Sequence, residues 1–248
     1  MRIFGLVGSS LEHSLSKEYF SKKFTREKLQ DCIYMNFQMD HLPAFTFLIS
    51  EYPGLTGLNV THPFKTAIME YLNELDPQAA AIGAVNCIGF SRNGNQFQLT
   101  GYNTDMPAFR DTFVPLKMEH HRKALILGTG GAARATGFAL KSMNMEFKMV
   151  SRTARSGHMT YRDIGKDILQ EFNVIINATP AGMYPGTNIS PDLPYQYLSD
   201  RHFLYDLIYN PGETIFLKRG RESGALVKNG FEMLELQAEL SWKIWNKT

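Results

Sequence analysis

The chain has 248 residues, enough for one large or two ordinary domains, and a formal net charge of +2. At 44% hydrophobic and 20% charged it has the balance of a globular protein and not of a disordered one, and so small a charge gives no electrostatic reason for a nucleic-acid or membrane surface. Its two cysteines, Cys32 and Cys87, lie in apolar runs without metal-ligand spacing, so free thiols in a reducing cytoplasm are expected, with neither a disulfide scaffold nor a metal site.

No apolar run reaches the roughly 18 residues of a membrane span, and the first eight residues read as a strand rather than a secretory leader. Strand 3–7 leads to an amphipathic helix over 15–29, with Ser14 or Ser16 as N-cap. Residues 32–39 alternate like a strand, 41–52 form a helix that stops before Pro53-Gly54, and 55–60 form a strand. A helix is expected over 64–72. Strands 84–90 and 96–100 flank Asn93-Gly94, a strong hairpin signal.

Between the strand at 55–60 and that helix stands Asn59-Val60-Thr61-His62-Pro63-Phe64-Lys65. An amine held at a strand end among amide and hydroxyl groups suits a polyhydroxylated substrate that exchanges a proton. The alternative is a plain strand-to-helix junction, capped by Thr61, with Pro63 in the first turn and Lys65 as a solvated charge.

A second alternation starts at Lys123. A strand at 124–127 runs into Gly128-Thr129-Gly130-Gly131-Ala132-Ala133, then a helix over 132–143 and a strand at 147–150. The polar stretch 151–173 has room for a brief strand (159–162) and one helix (166–172), but not for a full crossover helix as well. Strands follow at 174–177, 203–207 and 225–228, with helices over 214–222 and 231–245. The domain boundary is expected between Gly101 and Lys117, in a helix over 104–113 broken at Pro115. Alternating strands and helices mean mainly parallel sheets covered by helices.

A glycine loop that follows a strand and opens a helix lets the backbone approach a pyrophosphate, which the helix N-terminus attracts. An NAD site would place Asp or Glu after the second strand. Here that position reads Ser151-Arg152-Thr153-Ala154-Arg155. Two guanidinium groups and no carboxylate favour a 2′-phosphate, so Arg152 and Arg155 point to NADP.

Taken together the chain resembles the shikimate dehydrogenases. The resemblance rests on His13-Ser14-Leu15-Ser16, the 59–65 segment, Gly83-Ala84-Val85-Asn86, Gly101-Tyr102-Asn103-Thr104-Asp105, Gly128–Ala132 and Ser151-Arg152-Thr153. Asn177-Ala178-Thr179-Pro180-Ala181-Gly182-Met183, Asp206-Leu207-Ile208-Tyr209-Asn210-Pro211 and Gly230 with Met233, Leu234 and Gln237 complete the series in order. It implies an α/β protein with a mainly parallel N-terminal substrate domain (1–102, joined by the C-terminal helix 231–248) and a Rossmann-like NADP-binding domain (103–230). It implies reversible NADP-dependent reduction of 3-dehydroshikimate to shikimate, a step towards chorismate and aromatic amino acids. A cytoplasmic monomer or homodimer is expected.

The same resemblance implies that Ser14 and Ser16 hold the substrate carboxylate, and that Thr61, Lys65, Asn86, Asp105 and Gln237 hold ring hydroxyls with Tyr209 nearby. Gly128, Gly130, Gly131, Ala132, Ser151, Arg152, Thr153, Arg155 and Thr179 would bind the cofactor, with Gly230 and Met233 by its nicotinamide. Lys65 and Asp105 are the one pair in this set able to relay a proton. The oxidised nicotinamide is cationic and favours a neutral amine; the reduced ring is neutral. Three departures stand out: Lys17 replaces a common Pro, Ser151 replaces Asn, and 154–173 is short, which opens the adenine side and predicts weaker NADP binding. Within enzymes the alternative is a quinate or quinate/shikimate dehydrogenase; outside them, a non-catalytic metabolite-binding regulator on the same scaffold.

Overall fold

The structure is a computed structural model that describes residues 1–93, 96–154 and 156–247, with backbone alone at 92, 93 and 96. The chain divides into two compact units: Met1–Asp105 with Glu235–Thr248, and Met106–Leu234. The elements of the first stretch are β1 (Arg2–Gly8), α1 (Ser16–Arg26), β2 (Cys32–Gln38), α2 (Ala44–Glu51), β3 (Leu55–Val60), β4 (Glu74–Leu75), α3 (Pro77–Ile82), β5 (Cys87–Asn93) and β6 (Gln96–Tyr102). After them come α4 (Asp105–Phe113), β7 (Lys123–Leu127), α5 (Gly131–Ser142), β8 (Glu146–Ser151), β9 (Met159–Thr160), α6 (Lys166–Glu171), β10 (Val174–Asn177), β11 (Phe203–Asp206), α7 (Ile215–Glu222), β12 (Leu226–Lys228) and α8 (Phe231–Trp245).

In the first unit the sheet order is β2-β1-β3-β5-β6-β4. β1 pairs in parallel with β2 and β3, while β5 is antiparallel to both β3 and β6. β1 is buried without a break from Phe4 to Gly8, as an inner parallel strand must be, whereas the edge strand β2 shows Tyr34 and Phe37 as its buried residues. On α1, Phe20 and Phe24 lie four apart and face inward; Phe20 stacks on Tyr34 at 4.5 Å between ring centroids. The far end of α8 seals the same face, with Trp245 stacked 5.0 Å from Phe4 and Trp242 edge-on to it at 5.3 Å. Trp245 reaches that place because Gly57 has no side chain: a Cβ there would fall 2.2 Å from the indole Cδ1. The indole N–H donates to Ile88 O at 3.0 Å. Lys23 of α1 is buried too, and its charge is offset by two carboxylates, Glu27 at 2.8 Å and Glu239 of α8 at 2.9 Å.

Three expectations fail here. The helix over 64–72 is only a 3-10 turn at Ala67–Tyr71. Pro63 lacks an N–H and Phe64 N bonds back to Thr61 O at 3.0 Å; after one i−4 bond, Ile68 N to Phe64 O at 2.9 Å, the ladder stops, because Lys65 O is taken by Val85 N at 2.7 Å and Met69 N turns to Thr66 O instead. β4 and α3 were missed, being two and six residues long, too short for a periodicity to show. α3 is nevertheless well marked: Asp76 accepts from Gln78 N and Ala79 N, Pro77 opens it and Gly83 closes it at φ 70°. At α1, neither serine is the cap residue; Ser14 Oγ accepts the Ser16 N–H at 3.3 Å from one position further out. Lys17 is exposed on the first turn, and the helix runs on unbroken. The strands β5 and β6 form the expected hairpin pair, but Gly94 of its turn lies outside the described residues.

In the second unit all five strand pairings are parallel, in the order β12-β11-β10-β7-β8-β9. Counted along the chain that is 3-2-1-4-5-6, the doubly wound order of dinucleotide-binding sheets, in which ligands sit at the carboxyl ends of the strands. Val174–Asn177 and Phe203–Asp206 are buried throughout, as inner parallel strands are. The stretch after β8 is as short as its polarity suggested: among the described residues no helix joins β8 to β9, and α6 has six residues.

Candidate active site

In the first unit four of the expected residues meet in one hydrogen-bonded cluster. Lys65 follows β3; Asp105 opens α4; Asn86 precedes β5; Gln237 lies on α8. Lys65 Nζ donates to Asp105 Oδ2 at 2.6 Å, with the lysine side chain 19% and the carboxylate 7% exposed. The amine thus keeps a path to solvent or ligand while its partner is enclosed. Asp105 Oδ1 accepts from Asn86 Nδ2 at 2.9 Å. Asn86 is itself fixed: its Oδ1 takes the Thr104 N–H at 2.6 Å, and its Nδ2 also faces Thr104 Oγ1 at 2.9 Å and Gln237 Oε1 at 3.5 Å. A carboxylate with both oxygens bonded and an ammonium on one of them is held in place by charge-assisted hydrogen bonds. Such a pair can pass a proton between the amine and an oxygen brought to it.

Two further expected groups lie in the same unit. Thr61 is half-buried just past β3, its N–H bonded to Val7 O at 2.9 Å. Ser14 and Ser16 form a second polar pair, their hydroxyls 3.3 Å apart, with Ser16 buried. Cys87, next to Asn86, is fully buried, and burial pushes its thiol up to about 12, so it stays neutral.

In the second unit the expected cofactor residues that are described lie at or just past the carboxyl ends of β7, β8, β10 and β12. Gly128 leaves β7 at φ +110°, with Ala178 O 3.0 Å from where a Cβ would be, so only glycine fits. Gly130 is different: a Cβ there would meet nothing within 4 Å. It borders open space, and no side chain caps the N–H groups of α5 that start at Gly131 and Ala132. After β8, Ser151 is buried and its Oγ accepts the Thr153 N–H at 3.4 Å; Arg152 and Thr153 are exposed. Arg155 lies outside the described residues. An uncapped helix start, open space over Gly130 and an exposed guanidinium fit the pyrophosphate and 2′-phosphate of NADP.

Thr179 turns inward. Its hydroxyl donates to Asn177 Oδ1 at 2.6 Å and accepts the Ala181 N–H at 3.2 Å, which shapes the loop. Gly230 has a packing reason as well, since a Cβ would lie 2.3 Å from Leu207 O. Met233 is buried and Tyr209 is half-buried. Beneath these loops Asp206 is fully buried, accepting from Asn177 Nδ2 and Ile208 N at 3.0 Å each and from Thr214 Oγ1 at 2.6 Å. Burial raises its carboxyl to about 7 in spite of those three bonds.

Known proteins resemble this chain over nearly its whole length. Residues 6–88 match a sequence profile of the shikimate dehydrogenase substrate binding domain. The chain is 33% identical to the NADP(+) shikimate dehydrogenase of Carboxydothermus hydrogenoformans, over 98% of this chain and 91% of that one. The chain belongs to the shikimate dehydrogenase family. Among solved structures, shikimate dehydrogenase 1 from Peptoclostridium difficile is 36% identical with a TM-score of 0.84, covering 100% of this chain and 92% of the other. Shikimate 5-dehydrogenase from Thermus thermophilus, solved in complex with NADP(H) and shikimate, is 28% identical with a TM-score of 0.85, covering 100% and 94%. This shikimate dehydrogenase family member has no helix long and apolar enough to cross a membrane among its described residues. No cluster of His, Cys, Asp and Glu among them could hold a metal ion. Sequence reasoning missed the roles of Thr104, Ser241, Asn59 and Asp206. The first, third and fourth stood inside quoted motifs, and Ser241 was discoverable as the residue one helical turn beyond Gln237 on an otherwise apolar face.

Proposed function

We propose that this family member performs the NADP-dependent, reversible reduction of 3-dehydroshikimate to shikimate with Lys65 and Asp105 as its proton-handling pair. The observation that carries the reading is the 2.6 Å bond from Lys65 Nζ to an Asp105 carboxylate whose other oxygen is held by Asn86. NADP, when bound, supplies or receives the hydride. In the reductive direction Lys65 gives its proton to the oxygen of the carbonyl being reduced; in the oxidative direction it takes the hydroxyl proton. Asp105 holds the amine on target and accepts from a ring hydroxyl. Ser14 and Ser16 bind the substrate carboxylate, and Thr61, Asn86 and Gln237 its ring hydroxyls, with Tyr209 nearby.

Residues 1–102 with the C-terminal helix serve as the substrate domain and 103–230 as the NADP domain. Gly128, Gly130, Gly131 and Ala132 take the pyrophosphate. Ser151, Arg152, Thr153 and Arg155 take the adenosine 2′-phosphate. Thr179 binds the cofactor, and Gly230 and Met233 lie by its nicotinamide. The enzyme works in the cytoplasm, where Cys32 and Cys87 remain thiols, as a monomer or homodimer.

Formation of reduced nicotinamide on mixing the protein with NADP and shikimate, and then with quinate in place of shikimate, tests the reading. Turnover with shikimate is expected, and Lys65→Ala should lower kcat by roughly 10²–10⁴-fold, the usual worth of a positioned acid–base group. A Lys65→Ala enzyme with the parent kcat would refute the proton pair, and turnover of quinate alone would refute the substrate.

A further inference from the structure

Behind Asp105 lies a run of buried hydroxyl and amide groups whose proton directions follow from one another. Ser241 on α8, fully buried, is its turning point. Its hydroxyl donates to Gln237 O, one helical turn back, at 2.9 Å. It accepts from Asn59 Nδ2 at 2.9 Å and lies 3.3 Å from Thr104 Oγ1. With its single proton on Gln237 O, Ser241 can only accept from Thr104. Thr104 Oγ1 then offers a lone pair to Asn86 Nδ2 at 2.9 Å. That fits the one orientation of the Asn86 amide in which Nδ2 faces Asp105 Oδ1 and Oδ1 faces the Thr104 N–H. The other arm is equally determined: Tyr34 donates to Asn59 Oδ1 at 2.9 Å, and Asn59 Nδ2 also donates to Asn86 O at 3.2 Å.

We propose that Ser241 is a positioning residue for the reaction: by accepting the Thr104 hydroxyl proton it holds the Asn86 amide in the orientation that keeps Asp105 aimed at Lys65. This rests on the reading of Lys65 and Asp105 as the proton pair. Without Ser241 Oγ, the Thr104 hydroxyl turns its proton towards Asn86, the amide is drawn to present oxygen to it, and Asp105 Oδ1 loses its donor. The titratable groups packed around Ser241 are Cys87 on β5 and, through Asn59, Tyr34 on β2, with Tyr102 on β6 beyond Cys87. Burial raises both Cys87 and Tyr102, so neither adds charge near neutrality. The charges on which this network acts are those of Asp105 and Lys65.

The test compares Ser241→Ala, Thr104→Val (same shape, no hydroxyl), Thr104→Ser (hydroxyl kept), the Ser241→Ala/Thr104→Val double variant and Lys65→Ala, reading kcat, KM for shikimate, the pH profile of kcat and the melting temperature. Ser241→Ala and Thr104→Val should each lower kcat about tenfold with KM within about threefold of the parent. Both should move the controlling ionisation in the same direction, and the double variant should be no worse than about twice the weaker single, since the two groups act as a unit. Thr104→Ser should stay near the parent. Lower melting temperatures with the parent kcat and pH profile overturn the proposal, as do losses that multiply in the double variant. Should Ser241→Ala not fold, the Thr104 pair decides: a parent pH profile in Thr104→Val overturns it. An active Lys65→Ala removes the underlying reading and this one with it; an inactive Lys65→Ala beside parent profiles in the network variants removes this one alone.

Discussion

At the scale of single residues, buried carboxylates do two different jobs. Asp105 is enclosed but carries an ammonium on one oxygen, that of Lys65, with which it forms the proposed proton pair. Asp206 is enclosed with neutral donors only, and it ties Asn177, Ile208 and Thr214 together under the loops after β10 and β11. With no cation beside it, burial wins and its carboxyl rises from 3.8 to about 7. Below 3.8 it is protonated folded and unfolded alike and adds no pH dependence. Between 3.8 and about 7 the unfolded chain gives up the proton while the fold keeps it, so stability falls as pH rises through that window. The full effect above the window is roughly 4 kcal/mol. Urea unfolding of the parent and Asp206→Asn should therefore show the parent losing several kcal/mol relative to the variant between about pH 4 and pH 8. His121, pushed down to about 4 by burial, titrates in both proteins and drops out of the difference. A constant difference across the range would mean that Asp206 is ionised in the fold. Lys65, Asn86, Asp105 and Gln237 were legible as candidates because each falls in a motif that resembles those of the shikimate dehydrogenases. The sequence did not show that Thr179 faces inward or that Gly230 answers to the Leu207 carbonyl, since direction and close approach are set by strands distant in the chain.

At the scale of elements, the cover of the first sheet depends on the lack of one side chain. Trp245 lies where a Gly57 Cβ would be. Gly57→Ala must displace the indole from Phe4 and from Ile88 O, and the expected loss is about 1–3 kcal/mol, the range of an overpacked core. Urea midpoints and tryptophan emission together report it: a midpoint drop with a shifted emission is expected, and an unchanged emission would show the indole had not moved. Among inner strands, β10 was legible residue for residue because Val174–Ile176 is an unbroken apolar run, and β3 because it follows the Pro53-Gly54 stop. The 3-10 turn at Ala67–Tyr71 was not, because Phe64, Ile68 and Tyr71 have a helix's spacing while the Lys65 carbonyl is diverted to Val85, and a cross-chain bond leaves no mark on periodicity. That no helix joins β8 to β9 among the described residues was legible from the shortness of the polar stretch 151–173.

At the scale of the whole molecule, two units with their own sheets should melt with a measure of independence. Each ligand then stabilises the unit that binds it, by about 2.7 kcal/mol at a hundredfold excess over its Kd. Calorimetry with shikimate alone and with NADP alone should raise different parts of the heat-absorption profile, and a uniform rise of one sharp peak with either ligand would show a single cooperative block. Both boundaries between the units fall next to or inside a helix, Asp105/Met106 at the head of α4 and Leu234/Glu235 within α8, where periodicity runs on undisturbed.

That second crossing sets an order of assembly. Ser241, Trp242 and Trp245 belong to the unit encoded first but are themselves encoded after the whole of the other. During synthesis the earlier sheet must therefore wait, one face covered by α1 alone, until its neighbour in the message has been fully translated, so the later-encoded unit is the first to be supplied with all of its residues.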